Sequence, residues 1–130
     1  MKKTISSLLS QLRSEERNER LLAIRDLEKI KEIVAKSLIK SIDDKNPNVQ
    51  VEAIRALWGF AHPPVLKAYV KALHHPNIDV RENAANALEC FGDPTHIRAV
   101  EQALARAKDK EEERTMRTTI TLLKKKYGMQ

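Results

Sequence analysis

One cysteine, three glycines and few aromatic rings (4% of residues) mark this 130-residue chain by what it omits. Cys90 has no internal disulfide partner, and a single thiol is too few for a zinc or iron–sulfur centre. With glycine only at positions 59, 92 and 128, no phosphate-cradling loop or dinucleotide fingerprint can be written. Neither a paired-histidine zinc motif nor a nucleophile elbow occurs, so the sequence is expected to encode no enzyme and to need no cofactor. No apolar run approaches the roughly 20 residues that span a bilayer. The start, Met1-Lys2-Lys3, superficially resembles a signal peptide. However, Ser6, Ser7, Ser10 and Gln11 interrupt its apolar stretch, and Ile5, Leu8, Leu9 and Leu12 fall at helical spacing. A cytoplasmic chain is expected.

What is present is alanine and leucine, 14 of each, a composition that favours helix and disfavours an all-β fold. The net charge of +6 is concentrated at the two ends: residues 46–100 carry five basic and five acidic groups, while residues 1–45 carry 11 against 8 and residues 101–130 carry 8 against 5. This balance permits acidic protein or nucleic-acid partners without requiring either.

The apolar residues repeat. Residues 46–73 laid on 77–104 give ten identities in 28 positions, including Val49/Val80, Ala53/Ala84, Leu57/Leu88 and Phe60/Phe91. A fainter earlier copy aligns Ala23-Ile24-Arg25 and Leu27 with Ala53-Ile54-Arg55 and Leu57 at offset 30, then Lys36 and Lys40 with Lys67 and Lys71 at offset 31. The change of offset predicts a turn between Ile30 and Val34. Each copy reads as two helices. Asn46 and Asn77 cap the first helices, with Pro47 in a first turn, and His62-Pro63-Pro64 and Gly92-Asp93-Pro94 separate the members of each pair. A closing helix is predicted from Asp109, with Glu112 completing a capping box and Met116, Ile120, Leu123 and Tyr127 on its apolar face.

The pattern Asp79-Val80-Arg81, Ala84, Ala87-Leu88, Phe91-Gly92-Asp93 resembles the HEAT repeat, and looks most like the short subtype named after phycobilisome lyases. That resemblance implies an all-α fold, a short right-handed α-solenoid of stacked antiparallel helix pairs. The expected layout is a single domain over residues 1–130, with units at about 14–42, 46–73 and 77–107 and terminal capping helices at about 4–13 and 109–127. Units one and two carry Lys31-Glu32 and Ala61-His62 where the motif's turn has Gly and Asp. The family also implies that second helices line a concave face used to bind another macromolecule. It transfers a fold and no particular chemistry.

On the second helices, Lys36 and Lys40 lie one turn apart, opposite the apolar face. Lys67 and Lys71 repeat them one unit later, and Arg98 continues the first column. If these helices line a groove, the five groups form a basic ladder with rungs about 8–10 Å apart, close enough for their potentials to overlap at physiological salt. An amphipathic helix also needs a solvated face, and duplicated units inherit their lysines. Trp58 stands where other copies have Glu28 and Glu89, so it is either an exposed partner contact or is packed against a neighbouring unit. The histidines suit turns and caps better than a metal. The expected function is a non-enzymatic protein–protein interaction scaffold whose partner-binding residues are Lys36, Lys40, Lys67, Lys71, Arg98 and Trp58. Its partner would carry an acidic or helical segment, and the chain would be a monomer or weak homodimer without membrane association. The alternatives are nucleic-acid binding through the same ladder and a phycobilin lyase-like or other chromophore-handling accessory role, the latter implied only by the resemblance.

Overall fold

In a computed structural model, residues 3–60 and 62–130 are described; Met1-Lys2 of the charged start and Ala61 of the second interhelical turn lie outside them. Among the described residues there are seven α-helices and no strand: α1 Ile5–Gln11, α2 Arg17–Ser41, α3 Pro47–Ala56, α4 Pro63–Ala72, α5 Ile78–Phe91, α6 Ile97–Arg106 and α7 Lys110–Lys126. Short 3-10 turns at Leu57–Gly59 and Pro94–His96 prolong α3 and introduce α6. The chain divides into two compact units, Met1–Ser37 and Leu38–Gln130.

Helix starts follow the local chemistry. The Asn46 side chain accepts from the N–H groups of Asn48 and Val49, Asn77 accepts from Asp79, and Asp109 accepts from Glu111 and Glu112. Each supplies an acceptor to an N–H that the helix itself cannot satisfy. Asp93 does the same for Thr95, while His96 Nδ1 accepts from the Asp93 N–H at 3.0 Å and closes a capping box. The Thr95 hydroxyl and N–H hold the Asp93 carboxyl below its ordinary range.

The first unit departs from the expected pattern. No turn interrupts Ile30–Val34, and α2 runs unbroken for 25 residues. The reason is local: Ile30-Lys31-Glu32-Ile33-Val34 contains neither glycine nor proline nor an N-cap side chain, whereas the later turns carry Pro63-Pro64 and Gly92-Asp93-Pro94. Without a stop signal, adding one more hydrogen-bonded residue is favourable and the helix propagates. Within this unit, Gln11 donates to the Glu19 carbonyl at 3.2 Å, and Leu8, Ala23 and Ala35 are buried.

In the second unit α3 packs on α5 and α5 on α7, a row of first helices. The second helices α4 and α6 pack on α5 and α7 respectively. Val80, Ala84, Ala87 and Leu88 are fully buried on α5, and Met116, Ile120 and Leu123 are buried on α7, so most of the apolar positions read from the repeat form the core; the exceptions include Val49 at the start of α3 and Tyr127 at the end of α7, which are exposed, and Phe60 and Phe91, which are half-buried. Small alanines let the helices approach while leucines fill the spaces between them.

Tyr69, fully buried on α4, carries an unpartnered hydroxyl, and burial pushes its pKa up to about 12. An unfolded chain loses this proton near 10 whereas the folded chain keeps it, so stability is expected to fall as pH rises from about 10 to about 12. Tyr69→Phe should abolish that fall and stabilise the protein by about 1 kcal/mol at neutral pH, because it removes a desolvated hydroxyl that gains no bond in return. Urea unfolding of both proteins across this pH range measures the two effects.

Candidate functional site

The five residues of the expected ladder fall on three helices. Lys36 and Lys40 are exposed on α2, Lys67 and Lys71 on α4, and Arg98 on α6. On α4 the opposite side is sealed, with Val65, Ala68, Tyr69 and Ala72 buried. On α6, Ile97, Val100 and Ala103 do the same. Among the described residues none of the five basic groups pairs with a carboxylate. Lys40 and Lys71 fall in the last turns of their helices, where a cation also complements the helix dipole. Lys36 belongs to the first unit and the other four to the second.

Lys67 and Lys71 line different concavities. Lys71 stands at a cavity of about 260 Å³ between the end of α2 and α4, with Ile39, Ile42, Ala68 and Ala72 as apolar walls and Asp43, His74 and His75 at its edge. Lys67 borders a shallower depression with Leu66 and Val70, facing Asp93, Thr95 and His96 of the next unit. Each lysine therefore shares its concavity with one acidic residue.

Trp58 is half-buried in the 3-10 turn after α3 and meets Phe91 edge-on, with centroids 5.8 Å apart and an interplanar angle of 85°. This geometry suits the ring quadrupoles. The solitary tryptophan thus packs on the end of the next unit's first helix, while its indole N–H has no partner.

Two polar clusters escaped the sequence reading. Arg81 donates through Nε and Nη2 to both Glu112 carboxylate oxygens, at 2.6 and 3.1 Å, and through Nη1 to the carbonyls of His75 and Pro76 at 2.8 and 3.1 Å. Only 5% of the Glu112 side chain is exposed. Glu112 was expected to return to the cap of α7; its carboxylate instead crosses to α5, because a guanidinium fork offers two charge-assisted donors where the cap N–H offers one. The Glu112 carboxylate in turn raises the pKa of Arg81 further. Beside this pair, burial and the neighbouring carboxylates Glu111 and Asp79 hold the Glu82 pKa above its ordinary value.

The second cluster is His75. Its Nδ1 accepts from the Asn77 N–H at 3.0 Å, so its Nε2 carries the proton and donates to the Ile42 carbonyl at 2.9 Å. The ring ties the end of α2 to the α4–α5 turn and its nitrogens are committed. Among the described residues no group of three or more His, Cys, Asp or Glu side chains could hold a metal ion. Cys90 is exposed and free. No described helix is long and apolar enough to cross a membrane.

The row of first helices, the paired second helices and the Asp79-Val80-Arg81 to Gly92-Asp93 motif agree with a match to the family model for HEAT repeats over residues 34–119, well over half of the chain. The chain belongs to the HEAT-repeat family. The HEAT match begins at Val34, in the second half of α2, and ends at Thr119 on α7. It therefore leaves out α1 and about the first two thirds of α2, where the repeat pattern is faintest, together with the end of α7. No curated protein matches the chain. HEAT repeats commonly serve as protein-interaction scaffolds, and the family specifies packing positions in place of catalytic ones.

Proposed function

We propose that this HEAT-repeat chain is a non-enzymatic interaction module that holds an acidic segment of a partner protein along its second helices. The observation that carries the reading is the exposure of Lys67 and Lys71 on α4 and Arg98 on α6, helices whose other sides are committed to the core, and of Lys36 and Lys40 on α2, with none of the five engaged by a carboxylate of the described chain. Arg81 makes the contrast: its donors are spent inside the fold, so it is unavailable to a partner. The apolar cavity beside Lys71 accommodates a partner's aliphatic side chain next to a carboxylate. Trp58 is half-buried and packs on Phe91, so only part of its side chain is open to a partner.

Solvent-exposed charge pairs are worth about 0.2–1 kcal/mol each. The combined variant Lys67→Ser, Lys71→Ser and Arg98→Ser is therefore expected to weaken binding of a fluorescent poly-glutamate peptide about tenfold, measured by anisotropy. Unchanged affinity would reject the ladder as the site. A single-stranded oligonucleotide that binds more tightly than the peptide, with log affinity falling against log salt at a slope of about −3 to −4, would replace the protein partner with nucleic acid. A coloured protein on purification would point instead to the chromophore handling that the short HEAT subtype suggests.

A further inference from the structure

We propose that the joint between the α4–α5 and α6–α7 turns is a further site, which takes a phosphate monoester carried on a side chain of the partner polypeptide. That the phosphate comes on a polypeptide rests on the function proposed above; the anion site itself does not. A concavity of about 290 Å³ lies at this joint, and the repeat shows what is unusual about it. At an offset of 31, its Leu73, His74, Ala103 and Arg106 are the copies of Ile42, Asp43, Ala72 and His75, which line the cavity beside Lys71. The two are therefore one feature at successive joints, on either side of the α4–α5 turn, whose His74, His75 and Pro76 line both. The charges change between the copies. At the first joint Asp43 balances Lys71. At the second an exposed His74 stands in place of the acid and an exposed Arg106 in place of the buried His75, while Lys108 adds another exposed cation from the α6–α7 turn.

Among the described residues, Glu112 is the one carboxylate lining this concavity, and Arg81 holds both its oxygens. Neither Arg106 nor Lys108 pairs with any other described carboxylate, so two permanent positive charges line the concavity uncompensated. Their chemistry selects the ligand. A carboxylate brings one negative charge and two oxygens, whereas a phosphate monoester brings a charge of about −1.5 to −2 and three oxygens. It matches a guanidinium and an ammonium together, with the His74 ring as a further donor. Neighbouring helices pack about 8–10 Å apart, a distance that an extended chain covers in about three residues. A partner that seats an aliphatic side chain beside Lys71 thus presents its phosphate about three residues away.

The probe is a fluorescent peptide, Leu-Glu-Glu-phosphoserine-Glu-Glu-Leu, which offers the same spacing in either direction, compared by anisotropy with versions carrying serine or glutamate at its centre. The phosphopeptide should bind about tenfold more tightly than either, and Arg106→Gln with Lys108→Gln should remove that preference. A phosphopeptide bound no better than the glutamate version would overturn the inference, as would a preference that survives the double variant. Displacement of the phosphopeptide by an equal concentration of inorganic phosphate or of an oligothymidylate would overturn the polypeptide source of the phosphate. The Lys67→Ser, Lys71→Ser, Arg98→Ser variant separates the two readings. All three peptides should weaken together on it while the phosphate preference persists; a persisting preference without the common weakening rejects the ladder alone, and a common weakening with no preference on the unaltered protein rejects this site alone. The peptide comparison uses the unaltered chain, so it stands even if the double variant does not fold.

Discussion

Arg81→Met is expected to lower the unfolding free energy by about 3–5 kcal/mol, seen as a large drop in the urea midpoint. The guanidinium satisfies four acceptors at once: both oxygens of a buried carboxylate and two carbonyls of the α4–α5 turn. Methionine fills much of the same volume but leaves Glu112 charged, 5% exposed and unpaired. An ion held without its counter-ion in a low-dielectric site costs far more than the intact pair contributes. The double variant Arg81→Met with Glu112→Leu should therefore recover most of the loss, because replacing a buried pair by apolar groups is often close to neutral. If the double variant were as unstable as the single, the loss would come from the turn carbonyls and not from the stranded carboxylate. Since domain stabilities run to about 5–15 kcal/mol, the single variant is close to unfolding while the double is not.

Gly92→Ala is expected to cost about 3 kcal/mol, at the upper end of overpacking effects, because the obstructing atom is backbone. Gly92 has an ordinary extended conformation, so the reason is space and not torsion. A Cβ there would overlap the carbonyl oxygen of Leu88, which also accepts the Gly92 N–H at 2.7 Å. The site cannot easily move aside, since the Gly92 carbonyl in turn accepts from the Tyr127 hydroxyl at 2.9 Å. Gly59→Ala is the control: nothing lies within 4 Å of its added methyl group, so stability should change by no more than about 0.5 kcal/mol. Thermal or urea unfolding of the two variants side by side separates crowding from the general entropic gain of replacing glycine. Equal effects would remove the close approach to Leu88 as the explanation.

These two residues differ in how far the sequence announced them. Gly92 was legible as a helix stop, because a glycine after Phe91 and before Asp93-Pro94 is a local signal acting over a few bonds. Arg81 was legible only as a letter of the repeat motif. The residue it holds lies 31 positions on, one repeat away, and Glu112 had a plausible local use as the closing member of a cap. Other contacts behave likewise: Thr119 donates to the Ala85 carbonyl across 34 residues and Tyr127 to that of Gly92 across 35. The repeat length predicted which helices adjoin, but the choice among polar partners at each joint depends on side-chain reach. The ladder was legible as five exposed positions, since helical phase places them opposite the apolar stripe. Its acidic neighbours, Asp43 beside Lys71 and Asp93 beside Lys67, come from other elements and emerge only once the chain is folded.

By itself, then, the sequence determined the all-α class, the period, the caps at Asn46, Asn77, Asp93 and Asp109, and the residues that form the core of the later units. These rest on hydrogen bonds and apolar spacing within a few turns of helix, which every copy of the repeat restates. The tertiary structure decided the rest: that Glu112 crosses to Arg81, that Trp58 lies against Phe91, and that the Tyr69 hydroxyl is buried without a partner. Each depends on the distance and angle between packed helices, which no local pattern encodes. α2 falls between the two. Its continuity follows from the missing stop signals at Ile30–Val34, yet the repeat's phase predicted a turn there, and only the folded chain shows which influence prevails.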